Sequence, residues 1–66
     1  MDILKKFGQK VREVRLSKDM SQGKLATKIN VDPSYISQIE RGTGNMSLKR
    51  IEKLAKVLNV SIKDLL

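Results

Sequence analysis

Apolar residues recur at helical spacing along the whole of this chain. Leu4, Phe7, Val11 and Val14 fall at i, i+3, i+7 and i+10, the stripe of a helix running from about Ile3 to Ser17. Asp2 is placed to cap it, and Lys18-Asp19 ends it with aspartate where glycine would turn more easily. Gly8 interrupts the stripe at about 1 kcal/mol relative to alanine, which fits a position where a neighbouring helix crosses closely. Leu25, Ala26 and Ile29 mark a second helix, and Ile36 and Ile39 a third. Ser47 caps a fourth, with Leu48, Ile51, Leu54, Ala55 and Leu58 on one face, Lys49, Arg50, Lys53 and Lys56 largely on the other, and Asn59-Val60 as its break. Ser61 followed by Asp64 is a capping box that opens a short fifth helix through Leu65 and Leu66. No segment reads as a strand, a linker or a repeat. The pattern predicts one all-α domain of five helices over residues 1–66, with a core of Leu4, Phe7, Val11, Val14, Leu25, Ala26, Ile29, Val31, Ile36, Ile39, Leu48, Ile51, Leu54, Leu58, Val60, Ile62 and Leu65. Met20, Met46, Val57 and Leu66 are the apolar residues this core leaves least accounted for.

The middle of the chain, about residues 21–41, is two short helices around a tight turn. Ser21 is a good N-cap for the first, since its side-chain oxygen accepts an otherwise orphaned N–H. Asn30 stands where that helix must stop, and asparagine tolerates the left-handed conformation a helix end favours. Asp32-Pro33 restarts the chain, aspartate as cap and proline at the first helical position, where a missing N–H costs nothing. Gly42 is placed to end the second helix. Helix, short turn, helix is the geometry that lays a second helix in a DNA major groove. It is also a common way to pack two helices with no nucleic acid involved, and pattern alone leaves both readings open.

Charge separates them. Fourteen Lys and Arg against 7 Asp and Glu give a net charge of +7 on 66 residues, which implies a polyanionic partner, nucleic acid first and an anionic membrane surface second. The first helix is basic and amphipathic, but its stripe is needed to close the core, which ranks the membrane reading low. There is no cysteine and no histidine, so no disulfide, thiolate or imidazole metal site is available, and neither a cofactor nor a metal is expected. No apolar run reaches the length of a membrane span, and Met1–Gly8 lacks the apolar stretch of a signal peptide. A cytoplasmic protein is expected.

Enzymatic chemistry finds little support. The acids are few and unpaired in sequence, nothing positions a Ser–Lys dyad, and a bundle this small has no room for a deep pocket. Gly42 and Gly44 do not make a phosphate-binding loop, because the Lys-Ser/Thr and the preceding strand are absent. Arg15 lies at the edge of the first stripe, so its stem packs while its guanidinium seeks a partner. Glu40, near the end of the third helix, is the candidate. Such a pair would fix the angle between the two helices, and losing one member would strand the other charge. The alternative is that both are exposed.

VREVRLSKDMSQGKLATKINVDPSYISQIERG followed by LKRIEKLAKVLNVSIKDLL resembles the Cro/phage-repressor (Xre-type) helix-turn-helix family, from about Phe7 to Leu66. The specific pieces are SQ-x-x-LA, the YIS-x-IERG run and the closing LAKVLNVSIKDLL. Among subgroups the chain looks most like the small controller proteins of restriction–modification systems. The resemblance implies a compact five-helix lambda-repressor-like domain whose second and third helices form the helix-turn-helix. It implies the Arg15–Glu40 pair, a phosphate contact from Gln22, and base reading from the first turns of the third helix, which carries over to Pro33, Ser34, Tyr35, Ser37 and Gln38. Three features depart from the family pattern. Pro33 stands where many relatives carry a long polar or basic side chain, Gly23 and Lys24 replace an acidic pair, and no appended dimerisation segment is expected after Leu66.

On this reading Gln38 is the best direct reader, because its amide can bond bidentately to adenine N6 and N7. Ser34 and Ser37 discriminate weakly. Tyr35 is expected to lay its ring on a sugar or a thymine methyl and its hydroxyl on a phosphate; the competing reading is a packed aromatic with a satisfied hydroxyl. Ser21 and Gln22 at one helix N-terminus, and Asn45, Ser47 and Lys49 around another, suit phosphates through free N–H groups and the helix dipole. Arg41 and Thr43 are expected to reach the backbone from the loop, Arg41 being the only arginine near the recognition helix in position to meet a guanine. Lys24 and Lys28 add salt-sensitive attraction. So small a domain offers few base contacts, so a homodimer on a pseudo-palindromic operator of double-stranded DNA is expected, with Asn59, Val60, Ile62, Leu65 and Leu66 as its interface. The expected function is a sequence-specific transcriptional regulator. The alternative is an antitoxin-type interaction module that binds a protein partner through the same fold.

Overall fold

A computed structural model describes residues 2–66. Among the described residues there are four α-helices, α1 (Ile3–Ser17), α2 (Gln22–Ile29), α3 (Pro33–Arg41) and α4 (Leu48–Leu58), then a 3-10 turn at Ile62–Leu65, and no strand. The expected fifth α-helix is therefore a correction. The Asp64 N–H donates to the Ser61 carbonyl at 3.0 Å and the Leu66 N–H to the Lys63 carbonyl at 3.3 Å, the i→i+3 pattern of a 3-10 turn. The turn is still fixed at its start as expected, because the Asp64 carboxylate accepts from the N–H (3.0 Å) and the hydroxyl (2.8 Å) of Ser61.

Each helix begins and ends where local chemistry requires. Asp2 accepts the N–H groups of Leu4 and Lys5, at 3.0 and 3.4 Å. Ser21 accepts from Lys24 at 3.0 Å, Asp32 from Ser34 at 2.8 Å and Ser47 from Arg50 at 3.2 Å. The helix ends use left-handed residues, Asn30 and Asn59 both at φ 59° and Gly42 at φ 77°; Asp19, just beyond α1, sits at φ 54°. At Gly42 the requirement is double, since a Cβ there would also lie 2.7 Å from the Lys5 Cα.

Phe7, Val11, Leu25, Ala26, Ile29, Ile36, Ile39, Leu54, Ala55, Leu58 and Leu65 form the buried core. Val14, Val31, Ile51 and Val60 pack against it half-buried, and so do Met20, Met46 and Val57, which the stripes left unassigned. Three expected core residues lie outside it: Leu4 is 41% exposed, Ile62 40% and Leu48 84%. α4 packs on α2 and on the closing turn, burying Leu54, Ala55 and Leu58 in its second half. Its first turn carries Leu48 into solvent.

Gly8 explains how α1 and α3 come together. Alanine's Cβ at this position would run into the carbonyl oxygen of Ile39 and lie 2.9 Å from that of Glu40. Two helices meet backbone to backbone here, so the glycine that weakens α1 as an isolated helix is what allows it to dock.

Candidate nucleic-acid interface

The helix-turn-helix is held from behind by one polar cluster. Arg15, on the inner face of α1, donates from Nε to Glu40 Oε2 at 2.7 Å and from Nη2 to Glu40 Oε1 at 3.0 Å. Its Nη1 donates to the Met20 carbonyl at 2.7 Å, tying down the loop between α1 and α2. Gln22, the first residue of α2, donates its side-chain amide to the same Glu40 Oε1 at 3.0 Å. Glu40 thus collects α1, the first turn of α2 and the end of α3 on one carboxylate. The side chains of the pair are 8% and 4% exposed, and no buried polar side-chain atom among the described residues lacks a partner. That removes the exposed-pair alternative.

With α3 fixed at its end, its beginning projects outward. Pro33, Ser34 and Gln38 are exposed, while Tyr35 and Ser37 are half-buried. Asp32 caps this turn, and its carboxyl is held below the usual carboxylate value, first by the Ser34 backbone N–H and then by the Ser34 hydroxyl. Two other helices carry exposed cations: Lys24 and Lys28 on α2, Lys49, Arg50 and Lys53 on α4.

Comparison with known proteins gives this surface its meaning. Residues 11–65 match the family described as "Helix-turn-helix". The chain belongs to this Xre-type helix-turn-helix family. It is 61% identical over 61 residues to the control protein C.BamHI of Bacillus amyloliquefaciens, covering 91% of this chain and 75% of that protein. It is 38% identical over 65 residues to the control protein C.MunI of a Mycoplasma species, covering 97% and 88% respectively. The restriction-modification controller protein C.AhdI from Aeromonas hydrophila superposes with a TM-score of 0.94 at 42% identity, over 100% of both chains. As a member of this family the chain is a DNA-binding transcriptional regulator.

Most of the residues expected at the interface are exposed, with several changes of detail. Tyr35 does not offer its hydroxyl outward: it donates to the Asn45 carbonyl at 2.8 Å, so the packed-aromatic alternative describes it, and its ring staples α3 to the loop after it. Thr43 is exposed, with its hydroxyl donating to the Gln38 carbonyl at 3.3 Å. Ser21 and Ser47 spend an acceptor on their helix caps, which leaves each hydroxyl proton free to donate. Gln22 commits one amide hydrogen to Glu40, leaving the second. Asn45 and Lys49 are exposed beside the start of α4.

Two expectations need correcting. Arg41 lines a groove with Lys5, Gln9, Arg12, Glu13 and Glu40, on the α1 side of α3. It is not the only arginine near the recognition helix, because the Arg50 guanidinium carbon lies 4.8 Å from the centroid of the Tyr35 ring. Arg50 was not among the expected site residues. In the sequence it falls among the basic residues Lys49, Lys53 and Lys56 of α4, and the stacking partner lies fifteen positions away across a loop. The second correction concerns the expected dimer residues. Leu65 is wholly buried, so its side chain is not free to form an interface, while Val60 packs half-buried against the core. Ile62, Leu66 and Asn59 remain exposed.

Proposed function

We propose that the protein is a dimeric, sequence-specific regulator that occupies a pseudo-palindromic operator in double-stranded DNA and acts by occupancy, with no catalytic step. The observation that carries this reading is the outward-facing first two turns of α3, polar at Ser34, Ser37 and Gln38, set between cationic surfaces of α2 and α4. A pure protein-interaction module has no need for such a face. Gln38 reads adenine through its amide, Ser34 and Ser37 add weak discrimination, and the ring of Tyr35 and the flat face of Pro33 shape the approach to the groove. Ser21, Gln22, Lys24 and Lys28 hold one backbone strand, and Asn45, Ser47 and Lys49 the other. The family members called control or controller proteins support a role in regulating a restriction–modification system.

The second copy docks through apolar surface that the fold leaves uncovered. Ile3, Leu48 and Leu66 are 68%, 84% and 56% exposed. Leu66 also lines an apolar groove with Ile3, Leu4, Met46 and Ile51. Burial of such side chains is worth about 1.5–3 kcal/mol each, enough to favour pairing of two protomers whose recognition helices must reach half-sites about 34 Å apart.

The test is selection from a randomised duplex library at low and near-physiological salt. A palindromic motif that survives the higher salt is the expected result. Recovery of no motif, with binding that vanishes as salt rises, would reduce the interaction to charge alone and sink the operator reading.

A further inference from the structure

α1 turns one face into the domain and another into a groove. Phe7, Gly8, Val11 and Arg15 are its buried residues. Lys5, Gln9, Arg12, Glu13 and Leu16 recur at i, i+4, i+7, i+8 and i+11, which puts them together on a different face of the same helix. They line a groove of about 480 Å³ whose other wall is Glu40 and Arg41, at the end of α3.

The charges in this groove do not cancel. Glu40 is already neutralised by Arg15, and its side chain is 4% exposed. That leaves the cations of Lys5, Arg12 and Arg41, all exposed, against the single exposed carboxylate of Glu13. Beside them Leu16 is 51% exposed. Ile3, Leu4 and Leu66 belong to the apolar groove assigned above to the second copy, and Leu16 does not line that groove. The domain therefore carries a second surface, cationic with one large apolar side chain, that neither its core nor the dimer reading uses.

A duplex backbone matches this surface poorly, because Glu13 repels phosphates and Leu16 gains nothing from them. A polypeptide matches all of it. Carboxylates pair with Lys5, Arg12 and Arg41, an apolar side chain covers Leu16, and main-chain N–H groups can donate to Glu13. The Gln9 amide offers both a donor and an acceptor to a peptide backbone. Arg12 and Leu16 are four residues apart and stand one above the other, the spacing of an acid and a leucine one turn apart in a helical partner. Arg41 lies about 12 Å along α3 from Pro33, so an occupant of this groove leaves the first turn of the recognition helix uncovered.

We propose that this groove docks an acidic segment of another protein, one that presents a leucine-sized side chain among aspartates and glutamates. Complementary charge steers the segment and fixes its register, and Leu16 supplies the contact that charge alone does not. The surface is separate from the residues that read bases and goes beyond operator occupancy.

The experiment uses the full chain and, as probe, a fluorescein-labelled helical peptide rich in glutamate with leucines four residues apart on one face. The control peptide has the same composition with its leucines on opposite faces. Binding is read by fluorescence anisotropy at near-physiological salt, and the affinity of each variant for duplex DNA is measured across a salt series. The first peptide is expected to bind and the control to bind much more weakly. Leu16→Ser and Arg12→Glu are each expected to weaken the peptide about tenfold while duplex affinity holds for Leu16→Ser. Both side chains are exposed, and a thermal melt followed by circular dichroism confirms folding. Equal binding of the two peptides, or no effect of Leu16→Ser, would reduce the groove to unspecific charge and overturn the proposal. A fall in the salt slope of duplex binding in Arg12→Glu, with peptide affinity unchanged, would assign the groove to DNA and overturn it as well. The peptide measurements need no operator, so failure to select a DNA motif would sink the operator reading and leave this test standing.

Discussion

Arg15 and Glu40 are joined by two parallel hydrogen bonds, Nε to Oε2 at 2.7 Å and Nη2 to Oε1 at 3.0 Å, across twenty-five residues of chain. Desolvating two charges costs several kcal/mol, and geometry this good, with Met20 and Gln22 satisfying further donors and acceptors, is what offsets it. The consequence is asymmetric. Removing either partner alone, as in Arg15→Met or Glu40→Leu, is expected to destabilise the fold by about 3–5 kcal/mol, because the remaining charge is stranded. Replacing both at once is expected to cost much less than the sum. Urea unfolding of the two single variants and the double variant checks this, and additive losses would show that the two side chains do not act as a pair.

Gly8 carries a second stability prediction, and two effects compete there. Alanine is the better helix former by about 1 kcal/mol, so an isolated α1 would gain from Gly8→Ala. In the folded protein the new methyl meets the Ile39 carbonyl, and forcing α1 and α3 apart is expected to outweigh that gain. The expected net loss is about 1–3 kcal/mol, typical of overpacking. A raised melting temperature for this variant would mean that the crossing can widen at no cost.

Most of the architecture was legible in the sequence because the helix caps are strong and the stripes are clean. Asp2, Ser21, Asp32 and Ser47 accept the N–H groups that their positions suggest, and Asn30 and Gly42 turn left-handed where the helices must stop. Gly8 and the Arg15–Glu40 pair could be anticipated because a helix-breaking glycine and an arginine on an apolar stripe each call for a neighbour. What periodicity does not encode is where a helix runs past its partners. Leu48 belongs to the apolar face of α4, yet that face has nothing beneath its first turn. The limits at the interface have the same cause. Tyr35 to Asn45 and Arg50 to Tyr35 are contacts across a loop whose path local spacing does not fix.

The exposed apolar residues make the dimer reading testable against the core. Leu48→Glu and Leu66→Glu are expected to leave a folded monomer, seen as a halved mass by analytical ultracentrifugation with an unchanged circular dichroism spectrum. Leu65, wholly buried, is a different case: Leu65→Glu is expected to unfold the domain. A dimer that persists in both surface variants would move the interface elsewhere.

Acid is expected to loosen two specific turns. The Asp32 carboxyl is held below its ordinary value of 3.8 chiefly by the Ser34 N–H, and Asp64 below the same value chiefly by the Ser61 hydroxyl. A depressed carboxylate contributes stability that is complete above its unfolded pKa and is lost as pH falls through the folded one. Stability is therefore expected to be insensitive to these groups above about pH 5 and to decline below the unfolded value. Asp32→Asn and Asp64→Asn should each flatten that decline in a urea-midpoint series against pH. Curves parallel to the unsubstituted protein would place the acid sensitivity in other carboxylates.

Gln38 and Lys28 separate sequence reading from simple attraction. Gln38 is exposed on the outer side of α3, and Lys28 is exposed in the last turn of α2. Loss of a bidentate base contact is expected to cost about 1–3 kcal/mol on the preferred operator and to relax discrimination at one position of each half-site. Loss of a phosphate-facing lysine weakens every sequence alike and lowers the salt slope by about 1. Gln38→Ala should thus flatten a single column of the selected motif while the slope holds, and Lys28→Ala should lower the slope while the motif holds. If Gln38→Ala instead weakened all duplexes equally, its amide would be serving the backbone, and base reading would pass to Ser34, Ser37 and the ring of Tyr35.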